Sequence, residues 1–171
     1  MTSPAEREKA CDLDAVGRCE LDENLEVLRR EPVFSEIPVQ RLRVYAYLSR
    51  RMRYRTGEFL FRQGDRDSRG YILMAGRAQV IREYKEQSLI LNELKEGEFF
   101  GGLALLADVQ RLFSVRAVTA VECLTVDRES FRKLIVQFPE VAIKAIDMMV
   151  KRIVQMEEKL LELKVHECLY G

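Results

Sequence analysis

Three hydrophobic patterns follow one another along the chain. After a polar start over residues 1–22, which reads as a flexible or marginally helical extension, "NLEVLRREPVF" and "PVQRLRVYAYLSRR" read as two short helices. Asn24 is placed to cap the first, and Pro38 fits the first turn of the second. Between them runs a tight connector with apolar anchors Val33, Phe34 and Ile37. From Tyr54 to Asp127 the period shortens. "GEFLFRQGD", "GYILMAG", "RAQVIREY", "SLILNEL", "FSVRAVT" and "VECLTVD" are short and rich in β-branched or aromatic residues, with glycines between them. Turn signals at this spacing predict an antiparallel sandwich or barrel. No long helices alternate with the strands, which argues against a parallel α/β sheet.

After Asp127 the pattern turns helical again. "DRESFRKLIVQF" predicts one helix with Asp127 as its N-cap, and Pro139 restarts the chain into a long helix from about Glu140 to Tyr170. That helix carries a heptad. Ile146, Ile153 and Leu160 fall at a, and Met149, Met156, Leu163 and Tyr170 at d, with Glu167 breaking the a series. Across a parallel pair Arg152 would meet Glu157, whereas Lys159 and Lys164 would repel. Met148, Val150 and Val154 form a second apolar stripe. The expectation is a helix that packs on its own β domain and also pairs with a second copy. The domain reading is thus an extension over 1–22, a β-roll domain with short flanking helices over 23–138, and a long helix as dimer seam over 139–171.

Composition narrows the chemistry. The 171 residues suit one domain with appended helices and can bury a core without metals or disulfides. With 28 basic and 28 acidic side chains, net charge favours neither nucleic acid nor membrane. No apolar run approaches a bilayer span, and the polar start lacks a secretory apolar segment, so the expected location is cytoplasmic. Cys11, Cys19, Cys123 and Cys168 form no closely spaced pair, and His166 is the single histidine. No metal site is expected. No nucleophile stands beside a base, so no catalytic residue and no enzyme activity are expected either.

The candidate chemistry lies in "GEFFGGLALLADVQRLFSVRA", Gly97 to Ala117. Together with "GEFLFRQGD" and "YILMAG", this stretch resembles the cyclic nucleotide-binding domain of the catabolite activator (CRP/FNR) type and of cyclic-nucleotide-dependent kinases and channels. The likeness runs over about residues 24 to 165. It implies a mixed α+β fold: an antiparallel β-roll flanked by N-terminal helices and a long C-terminal dimerisation helix. It also implies that Gly97 to Ala117 contains a phosphate-binding cassette. In such a cassette a glycine turn and a short helix, here Gly101, Gly102, Leu103 and Ala104, present backbone N–H groups to a cyclic phosphate, and an arginine, here Arg111, neutralises it. The implied ligand is cAMP or cGMP.

The sequence departs from that pattern in three places. Where the family has a glutamate for the ribose 2′-hydroxyl, this chain has Gly102, which predicts weakened or lost cyclic nucleotide binding. A lost hydrogen bond to a charged group costs about 1.5–3 kcal/mol. After Arg111 the family favours a small or hydroxyl residue and then alanine. Here Leu112 and Phe113 follow, with Ser114 keeping a hydroxyl nearby, and Phe113 must enter either the β core or the ligand cavity. On the long helix, Met156 and Glu157 stand where catabolite-activator-type members have base-facing hydroxyl residues, and Met156 reads as dimer packing. Arg111 is thus either an anion contact or a surface arginine paired with an acid such as Asp108.

Three functions remain open. One is a dimeric regulatory module that senses a small anionic ligand and signals to a partner protein. Another is a ligand-free scaffold with its pocket closed. The third is a nucleic-acid contact through the stretch Arg41–Arg55, which holds six arginines and no acid. No second set of short helices follows the long one, so operator DNA reading is not expected.

Overall fold

The computed structural model describes residues 19–35 and 37–170, with Leu163 and residues 166–170 described as helix backbone only. Helix α1 covers residues 19–30, followed by a 3-10 turn at Pro32–Phe34 and α2 at Val39–Leu48. Eight strands come next: β1 (Arg50–Tyr54), β2 (Phe59–Phe61), β3 (Arg69–Ala75), β4 (Ala78–Tyr84), β5 (Gln87–Leu94), β6 (Phe99–Phe100), β7 (Ser114–Ala117) and β8 (Val121–Asp127). A four-residue helix α3 (Leu103–Leu106) lies between β6 and β7. Helices α4 (Arg128–Gln137) and α5 (Pro139–Tyr170) close the described chain. The strands form two antiparallel sheets, ordered β1-β8-β3-β6 and β2-β7-β4-β5. The expected antiparallel β-roll with N-terminal helices and a long C-terminal helix is therefore the fold.

The apolar pattern of each strand follows from what covers it. β3 and β8 are central in the first sheet and buried on both faces, so they read as near-continuous apolar runs. Tyr71, Leu73 and Cys123 point between the two sheets, against Phe61, Val80 and Val115. The intervening Ile72 and Leu124 point the other way, into a helical layer with Leu28, Phe34, Leu42 and Phe131. β5, at an edge, is exposed along most of its length. Asp127 caps α4 as expected, its carboxylate accepting from the Ser130 N–H at 2.9 Å.

Several expectations are corrected. α1 already includes residues 19–22, and Leu21 packs on the helical core. Asn24 is not a cap. It sits within α1, buried, donating to the Ala46 carbonyl and accepting from Arg51 Nε at 2.7 Å. Arg50 and Arg51, read as the end of the second helix, instead open strand β1: Ser49 breaks α2, and pairing with β8 takes the backbone into the sheet. The second apolar stripe of α5 does not pack on the β domain over its length. Val141 and Ala145 are buried, but Val150 and Val154 are exposed, as are seam residues Ile146, Ile153, Met156 and Leu160. Cys11 and the side chains of Leu163, His166, Glu167, Cys168 and Tyr170 lie outside the described residues.

Candidate functional site

A cleft of about 240 Å³ opens between the β6–α3 loop, the segment leading into β7, the end of α1 and the first half of α5. Gly101, Gly102, Leu103, Ala104, Arg111 and Leu112 line it, together with Phe99, Phe113, Glu31, Met148, Met149 and Arg152. The tertiary fold thus brings most of the sequence-derived cassette to one cavity. It adds Glu31, from a segment read only as a connector.

Arg111 is the electrostatic centre. It is 6% exposed, which corrects the surface-arginine reading, and its acidic partner is Asp67 rather than Asp108. Its Nη2 donates to Asp67 Oδ2 at 2.8 Å and to the Arg69 carbonyl, and its Nη1 donates to the Gly101 carbonyl at 3.0 Å. The guanidinium stacks over Phe61, 4.2 Å from the ring centroid. The backbone is tied as firmly: the Arg111 N–H donates to the Asp65 carbonyl, and the Arg111 carbonyl accepts from Gly64. One donor is left over. Arg111 Nε is, among the described residues, the one buried side-chain nitrogen or oxygen without a partner. An unmet buried donor costs about 1–3 kcal/mol. Arg111 as a residue lines the cleft, while its Nε is itself closed off from solvent.

Asp67 explains why so many groups converge. Burial alone would raise its carboxyl, but hydrogen bonds from Tyr71, Arg69 and Arg111 outweigh that and hold it below the usual carboxylate range. The Tyr71 hydroxyl donates at 2.6 Å and Arg69 Nε at 2.7 Å. Burial, with Asp67 beside it, pushes the Tyr71 phenol upward. Asp108, exposed, meets Arg66 and Arg128 instead.

The glycine pair is required by close approach. Gly101 has φ 77°, and a Cβ there would stand 2.7 Å from Arg111 Nη1. At Gly102 a Cβ would stand 2.7 Å from the Phe99 ring. The ring occupies the space through which a side chain at position 102 would leave, so the missing glutamate and the position of Phe99 are one structural fact. The amides of Ala104 and Leu105 donate to the carbonyls of Gly101 and Gly102 within the loop. Ala104 is fully buried, whereas Leu103 and Leu112 are exposed at the rim.

Other predicted residues fall elsewhere. Ser114 does not line the cleft: it is buried, and its Oγ accepts from the Gln63 N–H at 2.9 Å. Phe113 does both things asked of it, packing on the inter-sheet core 5.9 Å from Phe61 and walling the cleft. Met156 and Glu157 are exposed on α5 and outside the cleft lining. The α5 residues that line it are Met148, Met149 and Arg152. In the basic stretch, Arg43 pairs with Asp22, Arg51 with Glu23 and Glu122, and Arg53 with Glu122. Acids from α1 and β8 therefore interrupt that face. Cys123 is buried, which pushes its thiol up to about 12. Among the described residues no His, Cys, Asp and Glu cluster could hold a metal, and no helix is long and apolar enough to cross a membrane.

Sequence reasoning missed Asp67, Phe99 and Glu31. Asp67 lies in "GDRDSRG", where acids and arginines alternate in a turn and no local rule singles out one pair. Glu31 had a fainter signal, an acid next to the apolar anchors of the connector.

Comparison with known proteins agrees with this geometry. The family model described as "Cyclic nucleotide-binding domain" matches residues 51–138. A cAMP-dependent protein kinase regulatory subunit from Emericella nidulans is 32% identical over 109 residues, covering 63% of this chain and 26% of that protein. The chain therefore spans about a quarter of that relative's length. The catabolite activator protein of Thermus thermophilus superposes with a TM-score of 0.72 at 28% identity, covering 80% of this chain and 65% of that one. The sensor domain of a Pseudomonas aeruginosa transcriptional regulator shares the fold, with a TM-score of 0.73 at 18% identity over 81% of this chain and 93% of that one.

Proposed function

The chain belongs to the cyclic nucleotide-binding domain family, and from that premise we propose that it is a regulatory module whose cleft binds a small organic phosphate of the cyclic nucleotide kind. The observation that carries this reading is Arg111: a buried guanidinium that lines the cleft, is positioned by four hydrogen-bonding or stacking partners, and keeps its Nε donor unpaired. A guanidinium held in this way recognises a phosphate oxygen through a charge-assisted bond once a local shift of the loop uncovers its free N–H. Arg152 on α5 adds a second positive charge to the same cavity.

A route for the signal is built from contacts. Arg128, the first residue of α4, donates through Nε to the Ala104 carbonyl at 2.6 Å, and Leu105 packs in one core with Phe131, Leu134, Val141 and Ala145. A shift of the cassette therefore moves the ends of α4 and α5. The response is a change in the population of helix positions, and with it in the surface offered to a partner protein. α5 leaves its heptad residues Ile146, Ile153 and Leu160 exposed, which supports a homodimer along that helix. Sedimentation velocity on an Ile153→Asp/Leu160→Asp variant tests the dimer: the parent sediments as two chains and the variant as one.

Calorimetry with cAMP and cGMP tests the ligand. Binding is expected, weakened about tenfold or more in Arg111→Lys, which keeps the charge and loses the guanidinium Nε. Absence of heat at millimolar nucleotide would overturn the reading. It would favour instead a closed scaffold, for which the Phe99 ring beneath Gly102 and a cavity smaller than the usual ~300 Å³ lower bound speak.

A further inference from the structure

Glu31 stands at the junction of α1 and the 3-10 turn, with its backbone fully engaged. Its N–H donates to the Leu28 carbonyl at 3.1 Å, and its carbonyl accepts from Phe34 at 3.0 Å. The residue is 7% exposed, yet its carboxylate meets no hydrogen-bond donor and no cation among the described residues. Burial pushes that carboxyl up to about 7. Packing gives no reason for it: methionine or leucine would fill the same space without desolvating a charge. Glu31 shares the lining of the cleft with the Gly101–Gly102 loop, Arg111 and the apolar Phe99, Met148 and Met149.

The rest of the lining makes this placement informative. A side chain at position 102 is blocked by Phe99, so the cassette cannot supply an acceptor from its own loop. We propose that Glu31 is the second polar anchor of the cleft, accepting a hydroxyl or amino hydrogen of the same organic phosphate whose anionic group meets Arg111. The proposal rests on the anion reading of the cleft and adds the chemistry of the ligand's other end. The ligand is a phosphate ester carrying a hydrogen-bond donor across an apolar middle.

The consequence is mechanical. The ribose acceptor of the usual cassette belongs to the β-roll, whereas Glu31 belongs to the helical layer, in contact with α5 through the 3-10 turn. A ligand held at both ends bridges the two layers directly. A ligand held at Arg111 alone binds the roll without gathering the helices.

The test is calorimetry on the full chain with cAMP, 2′-deoxy-cAMP and cyclic inosine monophosphate, the last two lacking the sugar hydroxyl and the base amino donor in turn. The parent is expected to favour cAMP over one of the two analogues by about ten- to a hundredfold, the worth of a hydrogen bond to a charged group. In Glu31→Leu that preference vanishes and both ligands bind at the analogue's level, while Arg111→Lys weakens all three together. The Leu variant keeps its fold, since it removes a carboxylate that makes no hydrogen bond or ion pair among the described residues, and a melting temperature at or above the parent's verifies this. If the preference is absent, or survives in Glu31→Leu while Arg111→Lys still weakens binding, Glu31 is not an anchor and the anion site stands. If the parent binds none of the three, both readings fall.

Discussion

Asp67 and Glu31 are carboxylates buried to a similar degree in one domain, and their surroundings treat them in opposite ways. Asp67 accepts from Tyr71, Arg69 and Arg111, and its carboxyl is held low. Glu31 accepts from nothing described, and its carboxyl rises to about 7. The difference separates two kinds of cavity wall. On the β-roll side, hydrogen bonds are already made and the cation is fixed before any ligand arrives. On the helical side a polar group is left unmet. On the function proposed above, the pre-formed half would hold the anion, and the half with an unmet group would gain a partner from the ligand.

The largest test of the comparison removes the cation. Arg111→Ala strips Asp67 of one of its two cations, leaving Arg69, and is expected to cost up to about 3 kcal/mol, read by chemical denaturation. An Asp67→Asn/Arg111→Ala pair should recover part of that loss. If Arg111→Ala melts like the parent, Arg69 and Tyr71 alone hold Asp67 and the locked wall is an overstatement.

Next in size is the pH dependence, where the two carboxylates pull in opposite directions. Glu31 is raised on folding, so the folded state binds its proton more tightly than the unfolded chain does. Its contribution is fully present below about pH 4.5 and lost as pH rises to about 7, at most about 3 kcal/mol. Asp67 is depressed on folding, so its contribution is present above its ordinary value of 3.8 and lost as pH falls through its lowered one. Urea denaturation between pH 4.5 and 8 should therefore show a decline that Glu31→Gln flattens. A decline of equal slope in both proteins would mean that Glu31 is well solvated.

A smaller effect is expected from putting back the side chain the cassette lacks. Gly102→Glu drives into the Phe99 ring and should cost about 1–3 kcal/mol without improving cAMP binding, whereas Gly102→Glu with Phe99→Ala frees the space and should tighten it. Tighter binding by the single variant would show that the ring yields easily. Smallest of all, Arg43→Ala breaks an exposed pair with Asp22 far from either carboxylate and should change stability by less than about 1 kcal/mol in a thermal melt.

Much of the backbone architecture was legible from local pattern. The doubly buried runs of β3 and β8, the glycines between strands, the Asp127 cap and the heptad on α5 each speak through neighbouring residues. β1 was not legible, because "RRMRY" has no apolar face of its own. Its place comes from pairing with β8 and from acids of α1 and β8 that neutralise Arg51 and Arg53. Asn24 misled for a related reason: a helix-capping residue type was recruited for a tertiary hydrogen bond. At the site, Arg111 and the two glycines stood out by type and spacing, but the partner of Arg111 did not. Asp67 lies 44 residues away and meets it only after β2 has paired with β7 and β3 has joined the facing sheet.

By itself, then, the sequence determined the antiparallel strand-rich middle, the closing helices and the family to which the chain belongs, because periodicity and turn chemistry act between near neighbours. Only the tertiary structure decided which polar groups are satisfied. It paired Arg111 with Asp67, set Phe99 against Gly102 and left Glu31 without a donor among the described residues. Burial and hydrogen bonding are properties of the space between elements, which no single element encodes.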